Sequence, residues 1–290
     1  MADKKKTIAV NREEATTPLE TGTYVSLLRG FDSELDHTTL QNGVTICRMK
    51  EGKHWNDDTR FAGRVDIDNA FVMEYRLTRA KQQTDPFELF RDTATAMRLI
   101  GPGAVFAGDV LKPRNFMVRG PRWNAPRFQL TKERLAALDT LTATLERGIS
   151  NPIQGAMSRF NLAYDRLTDW VLGREWEQAG DRLIDYWIAF ESLFLPDDSP
   201  QELGYRVSLR VAYFISASPE ERRTVFREIR RSYKARSVLV HGRQPRDNVY
   251  QITDYTEEAL RRALFRAVQS PESIDGDRLD DAILMGTAEP

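Results

Sequence analysis

Cysteine is nearly absent from this chain: Cys47 is the single one among 290 residues. That excludes a disulfide framework and any zinc site built on paired cysteines. Histidine is almost as scarce, with His37, His54 and His241 alone, too few for a multi-histidine metal centre. No run of about 18 apolar residues occurs, so no ordinary membrane span is expected. The opening MADKKKTIAV carries lysines but no apolar stretch and no small-residue cleavage site, so no secretory leader is expected either. An excess of charge of either sign is missing too. With 42 basic and 43 acidic side chains the net charge is −1, which gives no global pull toward nucleic acid or membrane. A Ser-His-Asp hydrolase lacks its G-x-S-x-G, and Gly101-Pro102-Gly103 lacks the lysine and spacing of a phosphate loop. These absences leave a cytoplasmic protein with no metal and no cofactor expected.

What is present divides into two grammars. At 290 residues the chain has room for one large or two ordinary domains. Residues 1–20 are polar and show no repeating apolar pattern. From 21 to 130 short runs rich in β-branched and aromatic residues predict strands: Thr23–Leu28, Val44–Met49, Phe71–Leu77, Val105–Leu111 and Phe116–Arg119. A helix is expected over Phe87–Ile100, with Pro86 in its first turn. From Thr131 the period becomes helical. Helices are expected from Thr131, over Pro152–Leu172, Gln178–Leu195 and Glu202–Ser216, from Pro219 toward His241, and over Thr256–Ser270. Residues 271–290 read as an acidic, weakly apolar tail. The expected fold class is α+β, a β-rich mixed domain at 21–130 followed by an all-α bundle at 131–270.

Charge is uneven within the helical half. Between Gln201 and Tyr250 eleven basic side chains face five acidic ones, a net of +6 in a chain of −1. Such a cluster suits a polyanion, because each neutralised phosphate releases counterions; a solvated helix face is the plainer reading.

The segment YKARSVLVHG, Tyr233–Gly242, holds the one constellation with chemistry in it. Gly242 suits the position after a helix, where a left-handed conformation favours glycine. His241 then falls at the helix end, where the dipole favours positive charge. An imidazole exchanges protons near neutrality, and an arginine presents a fork of donors to a phosphate. A base and a cation are the minimum equipment for RNA cleavage. The plainer reading is that His241 caps the helix and Arg236 pairs with a carboxylate. Five residues also separate the two by about 140° around a helix, so they do not share a face.

DYWIAFESLFL (185–195), ELGYRVSLRVAYF (202–214), the arginine-rich helix after them and YKARSVLVHG together resemble the HEPN superfamily, most closely its ApeA-like branch. The resemblance covers roughly residues 131–269, and RS-x-x-x-HG is its most specific part. It implies a helical bundle that dimerises and joins two R-x4-H motifs in one cleft. It also implies a metal-independent endoribonuclease, met in phage defence or toxin-like settings and restrained or released by an inhibitor or trigger protein. By position Arg236 is the motif arginine and His241 the motif histidine. Ser237 stands where the family often has another polar residue, commonly asparagine. An inert dimerisation or RNA-binding scaffold of the same fold is the alternative.

Several further residues are candidates. Glu191 and Arg210 both sit on apolar stripes and are expected to meet inside the bundle, as a register-fixing ion pair or in support of the motif. Arg206, Arg243 and Arg246 are candidate RNA contacts, the last two in a loop expected to be exposed. Tyr205 and Tyr213 beside arginines suit base stacking or core packing. Arg114, Arg119, Arg122, Trp123 and Arg127 form a basic stretch suited to RNA, a protein partner or a plain linker. His54 beside Trp55, Asp57 and Asp58 makes a poor metal site, and Cys47 reads as a small buried hydrophobe.

Overall fold

A computed structural model describes residues 21–49, 70–81, 84–101, 105–107, 127–150 (side chains to 145), 162–163, 166–167, 179–195, 202–270 and 274–286. The fold is α+β, as the patterning predicts. Strands β1 (Gly22–Arg29), β2 (Phe31–Ser33), β3 (His37–Thr39), β4 (Thr45–Arg48) and β5 (Phe71–Leu77) come first. Helix α1 (Pro86–Ile100), β6 (Phe106–Ala107) and β7 (Phe128–Leu130) follow. The helical half comprises α2 (Lys132–Ser150), α3 (Ala179–Phe194), α4 (Leu203–Ile215), α5 (Pro219–Val240), α6 (Val249–Gln269) and α7 (Gly276–Met285). Residues 162–163 and 166–167, inside the helix expected over 152–172, are helical. The strand expected over 116–119 and the candidates His54, Trp55, Asp57, Asp58, Arg114, Arg119, Arg122 and Trp123 lie outside the described residues.

One sheet runs β3-β4-β5-β1-β6, with every pairing antiparallel. A separate short parallel pair joins β2 to β7. Alternation sorts the faces. Tyr24 and Leu28 of β1 join Ile46 of β4 and Phe71, Met73, Tyr75 and Leu77 of β5 on the face that packs with Leu89, Phe90 and Met97 of α1. Leu27, Cys47 and Val72 gather on the other face with Ala70, which puts the Cys47 thiol in an apolar setting.

Helix starts follow local chemistry. Asp85 Oδ1 accepts from the Phe87 N–H (2.8 Å), and Pro86 occupies the first helical position. Thr131 Oγ1 accepts from the Arg134 N–H (3.4 Å) at the head of α2. Ser218 and Pro219 do the same for α5. Two helices differ from the sequence expectation. Helix α6 begins at Val249 instead of Thr256, because Asn248 Oδ1 accepts from the N–H groups of Tyr250 and Gln251. The stretch read as a tail carries α7, capped by Asp275 and held by Leu279 and Ala282 in the apolar core.

In the bundle α4 packs chiefly on α5, and α3 on α6, while α7 rests on α4. Helix α1 lies against both α2 and α6. One apolar core therefore runs from Tyr24 of the sheet to Ala282 of α7. At its centre Trp187 is fully buried, with its indole N–H on Ser232 Oγ (3.0 Å) and its ring edge-on to Tyr233 (5.0 Å). This contact fixes α3 against α5 and sets where the motif side chains project.

Candidate functional site

The end of α5 is built by its last six residues. Gly242 has φ +69°, its N–H donates to the Leu239 carbonyl (2.8 Å), and the Arg243 N–H reaches back to Val238 (3.0 Å). These two bonds form a Schellman closure, which satisfies carbonyls that a helix terminus leaves without partners. His241 sits at the cap with φ −85° and an exposed side chain. Its ring makes no hydrogen bond or ion pair among the described residues. Ser237 is half-buried, and its carbonyl accepts the His241 N–H (3.3 Å).

Arg236 points elsewhere. Its Nη2 lies 3.7 Å from Glu191 Oε1 of α3, an ion pair longer than a hydrogen bond, with the two side chains 24% and 28% exposed. The Arg236 Nε is buried without a hydrogen-bond partner, a costly state for a charged donor. Glu191 thus joins the motif arginine, and the expected Glu191–Arg210 pair does not form. Arg210 is buried and binds Asp280 of α7 through two parallel hydrogen bonds, Nε–Oδ1 at 2.8 Å and Nη2–Oδ2 at 2.7 Å. Its Nη1 donates to the carbonyl of Phe194 at the end of α3. The reason for the difference is α7: a helix in the stretch read as a tail brings in a closer carboxylate. The Arg210 hydrogen bonds hold the Asp280 carboxyl below its ordinary range, and Arg206 one turn away adds to that effect. Arg206, expected to contact RNA, is therefore half-buried on the side of α4 that looks toward α7.

Arg243 and Arg246 are exposed in the turn between α5 and α6, with no ion pair among the described residues. Tyr250 (66% exposed) and Val240 (53%) flank the same turn. Tyr213 is buried beneath the Arg222 guanidinium (4.1 Å to the ring centroid), whereas Tyr205 stays 45% exposed. Arg127, the one described member of the front basic stretch, is exposed.

Within one chain the two motif side chains do not converge. Arg236 pairs with Glu191 of α3 while His241 is exposed at the helix end, in keeping with their spacing of about 140°. A second polar cluster escaped the sequence reading. The Tyr186 hydroxyl of α3 donates to Glu257 Oε2 of α6 (2.7 Å), and Arg182 Nη1 lies 3.3 Å from the same oxygen. Burial pushes the Glu257 carboxyl up, and burial together with that carboxylate pushes the Tyr186 hydroxyl well up. The available signal was the position of Glu257, four residues after Thr253 and three before Leu260 on the buried stripe of α6.

No protein-family model, no curated protein and no solved structure matches the chain. Among the described residues no group of three His, Cys, Asp or Glu side chains is placed to hold a metal ion, and no helix is long and apolar enough to cross a membrane.

Proposed function

We propose that the helical half is a metal-independent endoribonuclease working as a homodimer, with His241 the proton-transfer group and Arg236 the phosphate clamp. The observation that carries it is the end of α5. The Schellman closure leaves a histidine exposed and without a hydrogen bond or ion pair among the described residues, and the arginine before it is steadied by Glu191 with its hydrogen-bonding capacity incompletely used. A bare imidazole can take a proton from the 2′-OH. The 2′ oxygen then bonds to phosphorus as the bond to the 5′ oxygen breaks, and the leaving oxygen receives a proton from an imidazolium. The products are a 2′,3′-cyclic phosphate and a 5′-hydroxyl end. The guanidinium offsets charge that builds on the phosphoryl oxygens. Since one chain keeps the two groups apart, the arginine of one copy serves the histidine of the other.

That same separation favours a second reading, an inert dimerisation or RNA-binding scaffold in which Arg236 serves only as the partner of Glu191. The deciding experiment incubates the full chain with structured and single-stranded RNA in EDTA, beside Arg236→Ala and His241→Ala proteins of verified fold. Cleavage leaving cyclic-phosphate ends is expected of the wild type, falling roughly 100-fold or more in either variant. Equal silence from all three supports the scaffold. Equal cleavage by all three, or loss of wild-type cleavage with the metal, overturns the nuclease mechanism.

A further inference from the structure

Helix α5 sorts its charges. Several of its cations already have partners in the fold: Arg231 binds Asp247 (2.8 Å) and Glu228 (3.4 Å), Arg222 lies over the Tyr213 ring, and Arg236 pairs with Glu191. Two of its three carboxylates are occupied as well. Glu221 binds Arg262 of α6 (2.7 Å), and Glu228 faces Arg231 and Tyr255. Four cations have no ion pair among the described residues: Arg223, Arg227, Lys234 and Arg230, the last lying against aromatic rings. All four are exposed.

Their spacing of four, three and four residues places them on one stripe of the helix, about 16 Å long, with His241 about 10 Å beyond Lys234 on the same line. Like charges at these spacings repel one another and destabilise the helix. A solvated face usually interleaves acids with its bases, and after Glu220 in the first turn this stripe has none. Beside its middle stands an aromatic platform. The Tyr205 ring meets Phe226 edge-on (5.6 Å), and the Arg230 guanidinium lies over both rings, 5.4 Å and 5.8 Å from their centroids. Tyr205 keeps nearly half its surface in solvent.

We infer that the outer face of α5 is a binding track for an unpaired RNA strand, with Arg223, Arg227, Arg230 and Lys234 on successive phosphates and Tyr205 stacked on a base, leading the strand toward His241. The cations supply backbone attraction. The ring selects unpaired nucleic acid, because a duplex hides the base faces that stacking needs. The choice of RNA over DNA rests on the nuclease reading above.

The test uses the full chain with His241→Ala in EDTA, so that the probe survives, and a short fluorescein-labelled oligouridylate followed by anisotropy across a salt series. Arg223→Gln, Arg227→Gln and Lys234→Gln combined remove three exposed charges without touching the core. The expected result is a salt slope shallower by roughly two and an affinity lower on the order of 100-fold near 0.1 M salt. Tyr205→Ala is expected to weaken binding about five-fold or more with the slope kept. Arg76→Gln with Arg79→Gln, exposed at β5 and the turn after it, is the charge control and is expected to bind like the parent. Unchanged binding by the triple variant, an equal loss in the control, or tighter binding of duplex than of single strand overturns the track. The nuclease reading fails separately: wild-type protein that binds the oligonucleotide along this face yet cleaves nothing overturns the nuclease and leaves the track standing.

Discussion

Arg210 is buried to 2% exposure, yet it carries a full charge. What makes this tolerable is that each of its three nitrogens donates: two bonds go to Asp280 and one to the Phe194 carbonyl. The pair joins α3, α4 and α7 at one point, and Gly276 packs closely against it, since an added Cβ would stand 3.1 Å from the Arg210 guanidinium. Arg210→Ala is expected to cost about 1–3 kcal/mol, because it leaves a carbonyl and a carboxylate without donors. The Asp280 side of the pair is 48% exposed, so solvent screening keeps the value in that range. The pH dependence follows from the direction of the shift. Folding lowers the proton affinity of Asp280 below the ordinary value of 3.8. Its contribution to stability is therefore complete above that pH and is lost as pH falls through the lower folded value. Melting temperatures of wild type and Asp280→Asn should differ near neutrality and converge in strong acid. A constant gap at every pH would mean that the pair contributes by shape alone.

At the scale of elements, two glycines govern where α5 ends and how closely it packs, for opposite reasons. Gly242 has φ +69° and open space around an added Cβ, so Gly242→Ala meets only the left-handed backbone cost, about 1 kcal/mol. The Arg243 amide, bonded to Val238 across the closure, should then exchange faster by hydrogen-exchange mass spectrometry. Gly204 is helical, and its added Cβ would fall 2.3 Å from the Tyr233 ring. Gly204→Ala has to push α4 off α5, and a loss of about 1–3 kcal/mol is expected. Faster exchange should then appear along both helices. Equal, local effects for the two variants would contradict this division between conformation and space.

The whole molecule is tied together by α1. It covers the sheet on one side and meets α2 and α6 on the other, and the Arg261 guanidinium of α6 donates to the Leu99 carbonyl (2.9 Å). Because the apolar core passes through this junction without a break, the sheet and the bundle should unfold together. In urea, exchange-labelled peptides from β1 and β5 are expected to open at the same midpoint as peptides from α6. A chain starting at Thr131 would leave the α1-facing sides of α2 and α6 bare and is expected to be less stable than the full protein. Two separated midpoints would show that the junction transmits little.

Much of this was legible in the sequence because it depends on neighbours along the chain. Alternation in TYVSLL and FVMEYRL sets the strands, Asp85-Pro86 and Pro219 start helices, and Gly242 ends one, since turns, caps and periods are local physics. The placement of Arg236 and His241 on different sides of α5 also follows from spacing alone. Tertiary structure decided the partners. Glu191 and Arg210 looked like a pair because both are charges on apolar stripes, but which carboxylate a buried arginine meets depends on how distant segments pack. Helix α7, whose Leu284 and Met285 stay exposed, gains stability from Leu279 and Ala282 reaching a core built elsewhere, and it brings Asp280 to Arg210. The Tyr186–Glu257–Arg182 cluster likewise joins residues more than 70 positions apart. Local sequence carries no record of such distances, because the free energy that selects the pairing arises only when the helices meet.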